Sequence, residues 1–142
     1  MGSRRKARII AVQGLYAWEV SKGPLDLITQ FLWLSDDKRE RLKEDTLPFA
    51  SLLITGTVDN SKEIDAIIQK HLKNWKLERL DKVDLSIMRL GAYSLLYQKD
   101  IPGTVSIDEA VGIAKEFSSN ESYKFINGVL DAIRKSQLQD RE

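Results

Sequence analysis

Apolar residues recur at intervals of three and four along nearly the whole chain, and no stretch alternates apolar and polar positions as a half-buried strand would. The pattern predicts an all-α fold, a compact bundle of about seven helices. Its clearest run is Leu80, Val83, Ile87, Leu90, Ser94 and Tyr97, with Met88 and Leu95 widening the face, so residues 81–97 read as a central buried helix. Gly91 lies inside that run at a cost of about 1 kcal/mol relative to Ala, which implies that another helix crosses closely there.

The flanking segments follow from the same periodicity and from Gly, Pro and capping residues. Ile9, Val12, Leu15 and Tyr16 place a first helix over about 4–20, with Ser3 as N-cap and Gly23 in the left-handed C-cap position before Pro24. Leu27, Ile28, Phe31, Leu32 and Trp33 predict a second helix over 25–34, and the charged stretch 35–45 reads as a loop or an exposed helical start. Thr46 is placed to cap a third helix whose inner stripe is Phe49, Leu52, Leu53 and Gly56. Asn60-Ser61 marks a bend before an amphipathic segment carrying Ile64, Ile67, Ile68 and Leu72, which ends near Lys73-Asn74-Trp75. After a loop at Asp100-Ile101-Pro102-Gly103, Ser106-Ile107-Asp108-Glu109 has the form of a capping box and starts the sixth helix. A last helix follows Ser118-Ser119-Asn120 and turns Ile126, Val129, Leu130 and Ile133 inward. Trp18, Trp33 and Trp75 are expected to fill core or subdomain seams rather than to stack on bases.

Composition narrows the function classes. At 142 residues the chain is expected to form one domain, residues 1–142. The absence of cysteine excludes thiolate chemistry and Cys-based zinc sites and, with no secretory signal pattern, leads to the expectation of a cytoplasmic protein. No apolar run approaches the roughly 18 residues of a membrane span. His71 is the single histidine and reads as a structural or surface residue, phosphate-cradling glycine loops are absent, and Asp81 and Asp84 read as acids of a first helical turn. No catalytic constellation, cofactor or metal is expected, and the protein reads as a binder rather than an enzyme.

Charge supplies the positive signal. Lys and Arg number 22 against 21 Asp and Glu, yet Arg4, Arg5, Lys6 and Arg8 are packed into the first eight residues with no acid beside them in sequence. Without those four cations the chain would hold 18 against 21. Cations at a helix N-terminus oppose its dipole at roughly 0.3 to 1 kcal/mol each, and local rules are most often broken where function compensates. A docking polyanion would compensate; the alternative is a merely solvated basic start.

A resemblance sharpens this reading. The strings Leu80-Asp81-Lys82-Val83-Asp84, Met88-Arg89-Leu90-Gly91-Ala92-Tyr93, Ile107-Asp108-Glu109-Ala110-Val111 and Tyr123-Lys124-Phe125-Ile126-Asn127-Gly128-Val129-Leu130-Asp131 resemble the NusB transcription antitermination family. The opening Arg4-Arg5-Lys6-Ala7-Arg8 and Ala11-Val12-Gln13-Gly14-Leu15-Tyr16 resemble it too, with Gly14 departing from the family's usual Ala. The resemblance implies two small helical subdomains, about 1–78 and 79–142. It also implies binding of boxA, a single-stranded RNA element of nascent ribosomal transcripts, together with the ribosomal protein NusE, within an RNA polymerase elongation complex.

Carried over residue by residue, the resemblance gives Arg4, Arg5, Lys6 and Arg8 as phosphate contacts, and Tyr16, Glu121, Lys124 and Phe125 as further RNA-binding positions. Phe125 equally fits a core position, and Asn127 a base contact or a helix cap. Glu78 and Asp84 fall where the family presents acids to NusE, or are solvated helix acids. Two rivals remain. One is a NusB-like RNA-binding module cut from a ribosomal RNA methyltransferase, against which the chain's length speaks. The other is a helical homodimer that does not bind RNA.

Overall fold

The computed structural model describes residues 2–140 and folds them into eight α-helices: Ser3–Ser21 (α1), Leu25–Thr29 (α2), Asp36–Arg41 (α3), Thr46–Asp59 (α4), Ser61–Lys70 (α5), Lys82–Tyr97 (α6), Gly103–Phe117 (α7) and Asn120–Asp140 (α8). A single 3-10 turn, Leu77–Arg79, precedes α6. No strand occurs among the described residues. Met1, Arg141 and Glu142 lie outside them.

The predicted central helix is the axis of the molecule. α6 packs against α1, α4, α5, α7 and α8, and every residue from Asp84 to Leu95 is buried, a wider face than the sequence stripe alone requires. Asp81 starts it as N-cap, its Oδ1 accepting from the Val83 and Asp84 amides at 2.9 and 3.1 Å. Gly91 is the predicted close crossing: a Cβ there would lie 2.7 Å from Leu130 Cδ1 of α8. Leu15, Leu53, Ile54, Leu85, Ile87, Ile113, Ile126 and Leu130 are fully buried and form a core that joins both halves of the chain.

The core also contains one ionic knot. Arg89 of α6 donates from Nε and Nη2 to the two oxygens of Asp65 on α5, at 2.8 and 2.9 Å. Its Nη1 lies 3.0 Å from Glu19 Oε1 on α1, and its guanidinium stands 5.5 Å from the Trp18 ring centre. Burial pushes Glu19 upward, but Lys22 and Arg89 outweigh it and hold the carboxyl below its ordinary value. Burial likewise pushes Arg89 downward, and Asp65 and Glu19 more than reverse it.

Several caps and boundaries differ from the sequence reading. Ser3 is the first helical residue rather than the cap, a place taken by Gly2, and its hydroxyl donates to Asp45 at 3.4 Å. Lys22, not Gly23, takes the left-handed C-cap at φ 55°, since its amide closes the last turn on the Trp18 carbonyl while its ammonium pairs with Glu19. The second helix stops at Thr29 because Phe31 swings to φ 57° to bury its ring. The charged stretch beyond it forms α3, capped by Ser35.

Thr46 is buried inside α4, whose N-cap is Asp45, and Leu52 of the expected inner stripe faces out. α7 starts three residues before the expected capping box, because Pro102 is already placed to lead into the helix and Ser106 is turned inward. Trp75 is 57% exposed and Trp33 also reaches the surface, so only Trp18 among the three tryptophans packs chiefly against the core. His71 ends α5, with Nδ1 3.0 Å from the Ile67 carbonyl.

Candidate nucleic-acid interface

The basic knot occupies the first two turns of α1, where it meets the start of α4 and the outer face of α7. Arg4 is exposed and lays its guanidinium 4.0 Å from the Phe49 ring centre, a cation–π contact that leaves its N–H groups free to meet solvent or phosphate. Arg8 approaches the same ring at 5.8 Å and Glu109 Oε2 at 3.8 Å. Burial lowers the Arg8 pKa, with Glu109 opposing the shift and Arg4 adding to it. Arg5 stands between Glu109 at 3.5 Å and Glu116 at 3.6 Å. The acids missing beside the knot in sequence are thus supplied in space by α7, which corrects the expectation of an un-neutralised cluster. Arg4 and Lys6 have no carboxylate partner among the described residues.

Beyond the knot, Arg5, Ile9, Val12, Gln13 and Tyr16 fall on one face of α1. That face opens into an apolar hollow of about 240 Å³ walled by Ile9, Val12, Tyr16, Val83 and Phe117. Tyr16 is 43% exposed, so its ring is presented rather than stored in the core. Val83 and Phe117 also border a polar hollow with Asp81, Ser118 and Ser119, and Asp81, Asp84 and Ser122 carry that on into a third cleft of about 250 Å³. The third cleft is bounded by Trp75, Arg79, Glu121 and Phe125. Sharing these residues, the three run together as one trough, apolar at the α1 end one turn beyond Arg5, and lined by Asp81, Asp84, Glu121 and Arg79 at the α6–α8 end.

Of the remaining sequence-predicted residues, Glu121, Phe125 and Asp84 line the third cleft, whereas Lys124, Asn127 and Glu78 line none of the three. Glu121 is exposed and Phe125 half-buried at the third cleft, where Phe125 combines the core and surface roles the sequence left open. Lys124 is exposed on α8 one position before Phe125. Asn127 is exposed within α8 and caps no helix. Asp84 is buried and accepts from the hydroxyls of Ser118 at 2.7 Å and Ser122 at 2.9 Å, which pins the α7–α8 connection to the start of α6. Glu78 is exposed in the 3-10 turn, away from those serines in sequence but beside Arg79 of the cleft.

The sequence reading missed Phe117, Trp75, Ser118 and Ser122, and with them Glu109 and Glu116. Phe117 and Trp75 carried a signal, large apolar residues placed at element ends beside polar loops. Glu109 and Glu116 carried a fainter one, a glycine between two glutamates at helical spacing.

Comparison with known proteins gives the family and the fold. A family model described as the NusB family matches residues 5–135. The chain is 45% identical over 132 residues to the transcription antitermination protein NusB of Treponema denticola, spanning 92% of this chain and 95% of that protein. Its fold is similar to that of T. maritima NusB, with TM-score 0.83, 37% identity, and coverage of 93% of this chain and 90% of that one. It is similar as well to a chain in the crystal structure of antitermination factors NusB and NusE in complex with dsRNA, with TM-score 0.84, 29% identity, and coverage of 96% and 98%.

Proposed function

The chain belongs to the NusB family of transcription antitermination proteins, and from that premise we propose that it binds boxA-type single-stranded RNA of nascent ribosomal transcripts jointly with NusE. The observation that carries this reading is the single face of α1 that runs from Arg5 to Tyr16 and opens into the aromatic trough. Phosphates meet Arg4, Arg5, Lys6 and Arg8, while unstacked bases find Tyr16 and Phe125, with Lys124 and Glu121 beside the latter. NusE, a basic ribosomal protein, suits the acidic end, where Glu78 is a surface acid and Asp84 acts through the serines it anchors. The assembled pair serves as an adaptor in an RNA polymerase elongation complex. Binding is the activity, and the chain is read as non-enzymatic and cytoplasmic; no described helix is long and apolar enough to cross a membrane.

Fluorescence anisotropy of a boxA-like RNA tests the reading, against a scrambled strand and against the boxA-like duplex, with and without NusE, at two salt concentrations. Preference for the single-stranded boxA-like RNA that strengthens with NusE and weakens with salt is expected. Equal, weak binding to all three RNAs would overturn it. Sedimentation in the same buffers addresses the homodimer: dimerisation that falls as RNA binds fits a store in which the trough is covered.

A further inference from the structure

Glu109 and Glu116 have no part in the binding scheme above, yet they hold the cation at its centre. They lie at positions i and i+7 of α7 with Gly112 between them, so all three residues share one face. Arg5 Nη1 faces Glu109 Oε2 at 3.5 Å and Nη2 faces Glu116 Oε2 at 3.6 Å. A Cβ on Gly112 would sit 2.9 Å from Nη1, so the missing side chain is what gives the guanidinium its seat. Glu109 also approaches Arg8 at 3.8 Å, so two cations and two carboxylates cancel locally. What remains of the basic knot is Arg4 and Lys6.

We propose that Glu109 and Glu116 form an internal clasp that withholds Arg5 from RNA, a counter-anion that phosphate must displace. The proposal rests on the RNA-binding reading. The side chains involved are 31%, 29% and 47% exposed, and ion pairs this open are weak enough to be exchanged. A phosphate arriving along the α1 face takes the guanidinium from Glu116, whose carboxylate turns to solvent. The clasp therefore lowers affinity for polyanions and flattens its salt dependence, because one phosphate contact is made by trading partners rather than by releasing counterions alone.

The test is anisotropy of the boxA-like RNA at several salt concentrations with the wild-type chain, Glu116→Gln, Gly112→Ala and Arg5→Ala, plus Glu116→Gln in the Arg5→Ala background. Glu116→Gln is expected to tighten binding about two- to five-fold and to steepen the log–log salt slope by about 0.7, one further phosphate on a single strand. Gly112→Ala unseats the guanidinium without changing any charge and is expected to tighten binding by a smaller factor. In the Arg5→Ala background Glu116→Gln should have no effect. Equal tightening in that background would mean a general change of surface charge and would overturn the clasp. Weaker binding by either Glu116→Gln or Gly112→Ala would mean that α7 positions Arg5 for RNA rather than withholding it, and would overturn it too. Failure of the RNA-binding reading is read separately, as absent binding by the wild-type chain. Circular dichroism melts of each variant confirm that folded protein is compared.

Discussion

Arg89 and Arg5 each stand between two carboxylates contributed by other helices, and the difference between them lies in what surrounds the charges. The Arg89 side chain is 5% exposed and faces Glu19, itself 7% exposed, whereas Arg5 is 31% exposed and faces Glu116 at 47%. Distances differ in the same sense: 2.8 and 2.9 Å to Asp65 in a two-pronged bond, against 3.5 and 3.6 Å to separate glutamates. Buried, such a group is locked, because breaking it strands a charge in a poor solvent. Open to water, it is exchangeable, and an exchangeable cation is what a polyanion can recruit. One fold uses the same chemistry to fasten helices and to hold a binding group in reserve.

The contrast can be broken most severely from the buried side. Arg89→Ala leaves Glu19 and Asp65 without their common partner and is expected to cost about 3 to 5 kcal/mol of unfolding free energy in urea titrations. Arg89→Lys keeps the charge but loses the two-pronged bond to Asp65 and the planar face toward Trp18, and should cost about 1 to 3 kcal/mol in the same titration. Acid acts on the same knot. Because Glu19 is held below the ordinary carboxylate value when folded, its contribution is fully present above the unfolded pKa and is lost as pH falls through the folded one. Glu19→Gln should therefore flatten the acid limb of a melting-temperature profile below about pH 4.5, while lowering stability at neutral pH. The smallest effect belongs to the open arginine. Arg5→Ala should change stability by no more than about 0.5 kcal/mol, and because the clasp already withholds that cation it should reduce the RNA salt slope by less than about 0.7, the full value being lost only in the Glu116→Gln background. A loss of stability comparable to that of Arg89→Lys would erase the distinction.

How much of this was legible in the sequence follows the same division. Helix α6 was readable because periodicity is a property of the chain itself, and Gly91 marked its crossing with α8 correctly. Caps were read less well, since Ser3, Thr46 and Ser106 all have the chemistry of a cap. Whether a hydroxyl is used as one depends on where the helix enters its neighbours. Ser106 lies one turn inside α7 with its hydroxyl buried and without a hydrogen-bond partner. The basic knot was visible, but its neutralisation was not: Arg5 and Glu109 are 104 residues apart, and only the packing of α7 on the rest of the bundle joins them. Trp75 was assigned to a seam by its size, yet the turn before α6 leaves its ring at the mouth of a cleft.

The central position of α6 carries a consequence for how the chain is made. A ribosome emits α1 to α5 before the helix that every one of α1, α4 and α5 packs against, so α1 and α4 can pair early, but these helices lack the cover that α6 supplies until Tyr97 has emerged. α7 and α8 then close the opposite side of the same helix. Assembly around α6 is thus delayed to the middle of synthesis and completed from both directions, and a chain stalled before residue 82 would expose its apolar faces to other nascent chains.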